Sequence, residues 1–353
     1  MRVVILANAA SPHTNRWAAA LARRGLEVHV LSIRTATIPG ATVHRIGVGD
    51  PGRRNRVTSL LSYLMLMMVA RRRIGRLRPD LVHAHYTVTH GTIAVVARRH
   101  PLVVTVWGSD AARGDRPARG PKRWLNRFVL RRADAVTVAS HFLAAAATTL
   151  GGSAVTPRLV PFGVDTAAFR PGGGGGAVIG FVKRFDSRYD PISLIRAFAA
   201  MRVPGWRLLM VGGGPLEHEL RTAAARLGVA DRVELRGAVP PEEVPGLLQN
   251  IGILANPSRS ESFGVVNLEA AASAIPVVAT RVGGTAETVI DGETGLLVEV
   301  GDVAALAAAL DTLAADAALR ARMGAAGRRL VEERYDWEQC VDAMIASYRS
   351  AGA

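Results

Sequence analysis

Short apolar runs alternate with helix-period stretches along the whole chain, and this alternation constrains the fold more than any other feature. VVILA at 3–7 precedes a helical pattern from Arg16 to Arg24, and VHVLS follows at 28–32. LVHAH, LVVTVW, AVTVAS, AVIGFV, RLLMVGG, VELRG, IGILAN and PVVAT repeat the theme. Strands alternating with helices build βαβ units, whose parallel sheets are covered on both faces. The expected fold class is α/β. FRPGGGGGAV, residues 169–178, interrupts the series with five consecutive glycines, which hold no regular structure. The expected organisation is a first domain over 1–172 and a second over 173–335, with an amphipathic helix within 336–353 expected to pack back on the first. A chain of 353 residues suits two domains of roughly 150 residues each. Each half reads as a Rossmann-like doubly wound sheet. Such sheets take ligands outside the carboxyl ends of their strands, and two of them facing each other leave a cleft.

Charge divides along the same boundary. The chain carries a net +15, but residues 1–172 hold 26 Lys and Arg against 7 Asp and Glu, a net +19, whereas residues 173–353 hold 18 against 22, a net −4. Three readings of the basic half stand side by side: an anionic membrane surface or lipid-linked acceptor, nucleic acid, and the arginine bias of a genome's codons. Basic tracts at Arg71–Arg78 and at 113–132, the latter interleaved with Trp124 and Phe128, lack a recognisable nucleic-acid module, which disfavours nucleic acid. Cys340 is the single cysteine, so no internal disulfide and no thiolate metal cluster is available, and a reducing cytoplasmic setting is expected. The start reads as a strand and loop rather than a signal peptide. The longest apolar run, Leu60–Ala70, falls short of the roughly 20 residues of a membrane span, leaving contact with the inner face of a membrane as the peripheral alternative.

The densest chemical signal is ESFGVVNLEAAASAIPVVATRVGGTAETVIDGETGLLV, residues 261–298. Glu261 lies in a loop, a Ser-Phe-Gly turn follows, and a helix begins near Gly264 with Glu269 in its second turn. Unpaired N–H groups at a helix start suit phosphate or hydroxyl oxygens, and a carboxylate accepts from paired sugar hydroxyls. Two solvated helix glutamates would be the plain alternative. The whole string resembles the signature of family 4 of the retaining GT-B glycosyltransferases: two glutamates eight positions apart around Phe-Gly, then EA, PVVAT, a GG turn and DG.TG.LV. The resemblance implies a GT-B fold and a nucleoside diphosphate sugar as donor, with Glu261, Ser262, Phe263, Gly264 and Val265 facing the sugar and Glu269 the ribose.

In GFVKRFDSRYDPISLIRAF, residues 180–198, cations beside a strand end suit a diphosphate leaving group. Lys183, Arg184 and Arg188 are the candidates. The common family pattern has an arginine followed five residues later by lysine. Alignment puts Arg184 on the arginine and Tyr189 on the lysine, while a subgroup reading VK…KYG gives the lysine role to Arg188. VGGGP at 211–215 is open between a plain turn and a phosphate cradle, and it lacks the GxGxxG spacing of a nicotinamide or flavin site. RVELRGAVP at 232–240 resembles the strand before the base-lining loop, which makes Gly237 and Val239 base-site candidates.

In the first half, ASPHTNRW matches a subgroup through His13, Arg16 and Trp17, and PDLVHAHY places His83 and His85 at a strand end. TVWGSD at 105–110 carries Trp107 where many members have a donor-contacting histidine, which moves attention to Asp110 and His85. Trp107 is equally compatible with ordinary packing. No set of residues completes a metal site, and the family resemblance implies metal-independent transfer. The implied activity is retaining transfer of a sugar from a UDP-sugar, or second a GDP-sugar, to an acceptor hydroxyl in polysaccharide, glycolipid or glycosylated-metabolite synthesis. A nicotinamide-dependent oxidoreductase and a basic nucleic-acid binder are the alternatives.

Overall fold

The computed structural model describes residues 1–47, 56–97, 101–108, 112–113, 116–117, 120–172 and 176–353. Two compact units emerge, one of Met1–Pro161 with Cys340–Ala353 and the other of Phe162–Gln339. The division thus falls ahead of the glycine run, and the last residues group with the first unit.

The first unit contains β1 (Arg2–Leu6), α1 (Pro12–Arg23), β2 (Glu27–Ser32), β3 (Ala41–Arg45), α2 (Arg56–Leu77), β4 (Leu81–His85), α3 (Thr92–Ala97), β5 (Leu102–Val106), the short antiparallel pair β6 (Ala112–Arg113) and β7 (Arg116–Pro117), α4 (Pro121–Leu130), β8 (Ala135–Val138), α5 (His141–Gly151) and β9 (Arg158–Leu159). Its main sheet runs β3-β2-β1-β4-β5-β8-β9, all parallel. Residues Val3–Leu6 and Leu102–Val104 are wholly buried, as strands covered on both faces must be. Helix α1 starts at Pro12, whose missing N–H costs nothing there, and buries Thr14, Trp17, Ala18 and Leu21 at helical spacing. Helix α2 buries Leu66, Ala70 and Ile74 on one side, while Leu64, Met65, Met68 and Val69 stand exposed on another. No helix among the described residues is long and apolar enough to cross a membrane.

The second unit contains β10 (Val178–Val182), α6 (Pro191–Ala200), β11 (Arg207–Val211), α7 (Glu217–Arg226), β12 (Val233–Gly237), α8 (Val244–Leu248), β13 (Ile253–Asn256), α9 (Val265–Ala272), β14 (Val277–Thr280), α10 (Thr285–Thr288), β15 (Gly295–Val298), α11 (Val303–Ala315) and α12 (Ala317–Arg334). Helix α13 (Trp337–Ser350) starts in this unit and continues into the last residues of the first. The parallel sheet runs β12-β11-β10-β13-β14-β15. Asp302 and Asp316 cap the starts of α11 and α12, accepting from the N–H groups of Ala305 and Leu319. A core of Ile179, Phe181, Phe198, Leu208, Ile253 and Leu310 packs β10, β11 and β13 against α6 and α11.

In each unit the first strand of that unit lies beside its fourth, so the connections leave in opposite directions at that point. Open α/β sheets take ligands in a crevice at such a point, outside the carboxyl ends of the strands. The fold therefore nominates one position in each sheet: β1/β4 in the first unit and β10/β13 in the second.

Candidate functional site

In the second unit, Lys183 immediately follows β10 and Glu261 lies in the loop between β13 and α9. Strand pairing of β10 with β13 brings them together as a largely buried ion pair, with side chains 11% and 14% exposed. The Lys183 ammonium also lies 4.7 Å from the centre of the Tyr189 ring. Arg184 turns outward, 66% exposed and 4.0 Å from the Asp186 carboxylate, and Arg188 is likewise exposed. Of the three cations read from the sequence, one is buried with a carboxylate and two are solvated.

The VGGGP loop lies directly against this segment. The Lys183 N–H donates to the Val211 carbonyl at 3.0 Å and the Phe185 N–H to the Gly213 carbonyl at 3.1 Å. A Cβ on Gly212 would stand 2.0 Å from the Lys183 carbonyl oxygen, and one on Gly214 2.3 Å from that of Phe185. These glycines permit the close approach of two loops. Gly237 ends β12, and Val239 packs with Leu209, Val211 and Leu247.

The 257–264 loop is held by buried polar side chains that the sequence reading did not single out. Asn256 donates to the Asn267 side-chain oxygen at 2.8 Å, Ser258 donates to Asn256 at 2.6 Å, and Asn267 donates to Thr288 Oγ1 at 3.1 Å. The Thr288 hydroxyl in turn lies 3.3 Å from the Phe263 carbonyl. Their one sequence signal is a polar residue inside otherwise apolar runs, IGILAN and VVNLEAA. Arg259 ties this loop to the one after β10, its N–H donating to the Arg188 carbonyl at 2.8 Å and its guanidinium pairing with Asp190 at 2.7 Å.

Gly264 caps α9 with φ at 95°, and a Cβ there would meet the Asn267 amide nitrogen at 2.7 Å, so the turn requires glycine. The Phe263 ring is buried between Phe162 and Tyr335, at 6.0 and 5.8 Å between ring centres. Phe263 can therefore present only its main chain to a ligand. Ser262 lies beside it, Val265 opens α9, and Glu269 stands half-buried in its second turn.

In the first unit, His85 ends β4 and is buried. Its Nδ1 lies 3.3 Å from Thr14 Oγ1 of α1, across the β1/β4 position, and its Nε2 has no hydrogen-bond partner among the described residues. Trp107, also buried, gathers the rings of His85, His13 and Tyr86 at 4.8, 5.5 and 6.1 Å. Arg16 lies one turn beyond His13 on α1. Tyr86 takes φ at 68° where the strand gives way to a π-helical turn over Tyr86–Gly91, a strained junction of a kind found at functional sites. Asp110 falls outside the described residues.

His83 plays a different part. It bridges Tyr348 of α13 at 2.7 Å and Thr105 at 2.6 Å, and Thr105 continues to Thr137. Burial holds the His83 imidazole down at about 3. Burial, followed by the neighbouring His83, His90 and His13, holds His85 well below its ordinary value. Both rings are neutral in the folded chain at pH 7. Below about pH 6.5 the unfolded chain takes up protons that the folded chain refuses, so stability is complete above that pH and falls as pH drops toward 3. The slope is about 1.4 kcal/mol per pH unit for each histidine. Thermal unfolding between pH 7 and 5 should show this fall, and His83→Gln should flatten it. An unchanged slope in that variant would remove His83 from the account. Among the described residues, no three His, Cys, Asp or Glu side chains are grouped to hold a metal ion.

Residues 2–140 match the family described as Glycosyl transferase 4-like, and residues 170–330 match Glycosyl transferases group 1. The D-inositol 3-phosphate glycosyltransferase of Acidothermus cellulolyticus is 33% identical, with 94% of this chain and 83% of that protein covered. A GDP-mannose-dependent alpha-(1-6)-phosphatidylinositol monomannoside mannosyltransferase of Mycolicibacterium smegmatis is 38% identical over 60% of this chain and 62% of that one. Among solved structures, sucrose-phosphate synthase of Thermosynechococcus elongatus superposes with a TM-score of 0.85 at 24% identity, covering 99% of this chain and 98% of that one. Anabaena HepE in complex with UDP-glucose gives 0.80 at 21% identity, covering 99% and 100%. Two parallel Rossmann-like sheets, a glycosyltransferase family matched in each half and a relative aligned along nearly the whole chain lead to one assignment: the chain belongs to the group 1, family 4 glycosyltransferases of GT-B fold, enzymes that act on nucleotide sugars.

Proposed function

We propose that the chain is a retaining glycosyltransferase whose second unit takes a UDP-sugar and whose first unit takes the acceptor. The observation that carries this reading is the meeting of a strand-end ammonium and a loop carboxylate at the β10/β13 crevice, beside two solvated arginines and a glycine-capped helix bearing a second glutamate. Glu261 and the main chain of Ser262–Val265 hold the donor sugar, and Glu269 holds the ribose hydroxyls. Arg184 and Arg188, with Lys183, hold the diphosphate, and Gly237 and Val239 meet the base through their main chains. As the bond from the sugar carbon to the phosphate oxygen breaks, these cations meet the charge growing on the phosphate, and no metal ion is needed. The acceptor oxygen bonds to the same face of the sugar carbon while its proton passes to the departing phosphate oxygen. A GDP-sugar is the second reading, favoured by the name of the mycolicibacterial relative. Calorimetry with UDP-, GDP-, ADP- and dTDP-sugars tests the function, and binding of none of them would overturn it.

On the acceptor side, His85, His13, Arg16 and Trp107 surround the first unit's crevice. The net +19 of residues 1–172 and the name of the Acidothermus relative favour a phosphorylated acceptor, and the name of the mycolicibacterial relative favours a lipid-linked one. The outer face of α2 favours an anionic lipid surface: Met65 and Met68 are 53% and 56% exposed, and the exposed Arg71 and Arg72 follow them. Sedimentation with vesicles rich in anionic lipid should retain the chain, and the double variant Met65→Glu, Met68→Glu should lose about tenfold in partitioning, the equivalent of about 1.4 kcal/mol. Equal partitioning of both proteins would overturn this contact.

A further inference from the structure

We propose that Lys183 and Glu261 form an exchange pair that distinguishes the intact nucleotide sugar from the nucleoside diphosphate left after transfer. This rests on the donor-site reading above and adds to it a reason for product release. The two side chains are ion-paired across the crevice and mostly withdrawn from water. Removing one partner of such a pair leaves the other as an uncompensated buried charge. A diphosphate alone draws Lys183 away and leaves Glu261 stranded. A sugar alone draws Glu261 and strands Lys183. Only a molecule carrying both groups satisfies both side chains at once, the phosphate oxygens accepting from the ammonium and the sugar hydroxyls donating to the carboxylate. Once the sugar has moved to the acceptor, Glu261 loses its partners, and its return to Lys183 opposes the nucleoside diphosphate that remains.

Arg184 and Arg188 cannot make this distinction. Both are exposed, and the solvated guanidinium of Arg184 attracts either nucleotide through its phosphates alike. The loops that carry the pair are also joined independently of it, by the Arg259 N–H to the Arg188 carbonyl and by Arg259 to Asp190. The two loops therefore retain a second tie when the pair is broken, which makes substitution at either position informative.

The test is calorimetric titration of the full chain with UDP, UDP-glucose, GDP and GDP-mannose, with thermal melts of every variant to establish folding. Glu261→Gln is expected to tighten the free nucleoside diphosphate on the order of tenfold, the equivalent of one charge-assisted hydrogen bond no longer lost, while weakening the matching sugar nucleotide. Lys183→Met should weaken both ligands, and Lys183→Arg should restore much of the loss. In the Lys183→Met background, Glu261→Gln should no longer tighten the diphosphate on account of the pair. Tightening of the same size in that background would mean simple repulsion by Glu261 and would overturn the exchange. An unchanged or weaker diphosphate affinity in Glu261→Gln, with Glu269→Gln still weakening it, would also overturn the exchange and leave the donor site standing. Failure of all four probes to bind the wild type, or indifference of every probe to Glu269→Gln, would overturn the donor site and the exchange together.

Discussion

Arg184→Ala should lower kcat by about 10²- to 10³-fold, the range seen when one preorganised group that meets developing charge is removed. The guanidinium belongs to the second residue after β10, at the carboxyl end of the strand, and is paired only loosely with Asp186 at 4.0 Å. It is thus a solvated cation with bonding capacity to spare for a phosphate. With 66% of the side chain exposed, its truncation should move the unfolding midpoint little. The separation of a large kinetic loss from a small stability loss is the informative result. Arg184→Lys should recover part of the rate, because charge returns without the planar fork that binds two phosphate oxygens. Glu269→Ala should act differently, raising KM for the donor by roughly 10- to 100-fold through loss of charge-assisted bonds made in the ground state as well. Steady-state kinetics with the donor identified by calorimetry would measure both. Unchanged turnover in both variants would remove Arg184 and Glu269 from the site.

Asn267→Ala should destabilise the second unit by about 2–4 kcal/mol, although residue 267 is given no contact with donor. Its side chain is wholly buried and accepts from Asn256 while donating to Thr288. Truncation leaves the Asn256 amide without its acceptor in a place water does not reach. The effect should extend to function. Thr288 supports the Phe263 carbonyl, and Asn267 packs under Gly264, so the turn that follows Glu261 loses its support. Urea unfolding should show a lower midpoint at unchanged slope, and donor affinity should weaken at temperatures where the variant is still folded. Wild-type stability in Asn267→Ala would mean that the network does not hold the loop.

What was legible in the sequence was local. The string 261–298 announced its loop, its helix start and its two glutamates because these lie within a few turns of one another, and α9 begins at Val265 behind Gly264 as expected. VGGGP by itself fits a plain turn and a phosphate cradle equally. Its glycines pack against the carbonyls of Lys183 and Phe185, 29 residues upstream, a contact that no short motif carries. Trp107 likewise has no local sequence signal of its neighbours, and only the fold brings the rings of His85, His13 and Tyr86 to it. His83 and Tyr348, 265 positions apart, gave no joint signal at all.

By itself, the sequence determined the alternation of strand and helix, the two halves, their opposite charge and the chemistry available at each strand end. These follow from period, composition and short motifs, which neighbouring residues set. Tertiary structure alone decided which of those groups meet. Hydrophobic period says that a strand is buried but not which strand lies beside it. Lys183 and Glu261, 78 positions apart, became partners because the sheet order puts β10 next to β13. Long-range packing likewise groups the last residues of α13 with the first unit, where the buried Tyr348 hydroxyl finds His83.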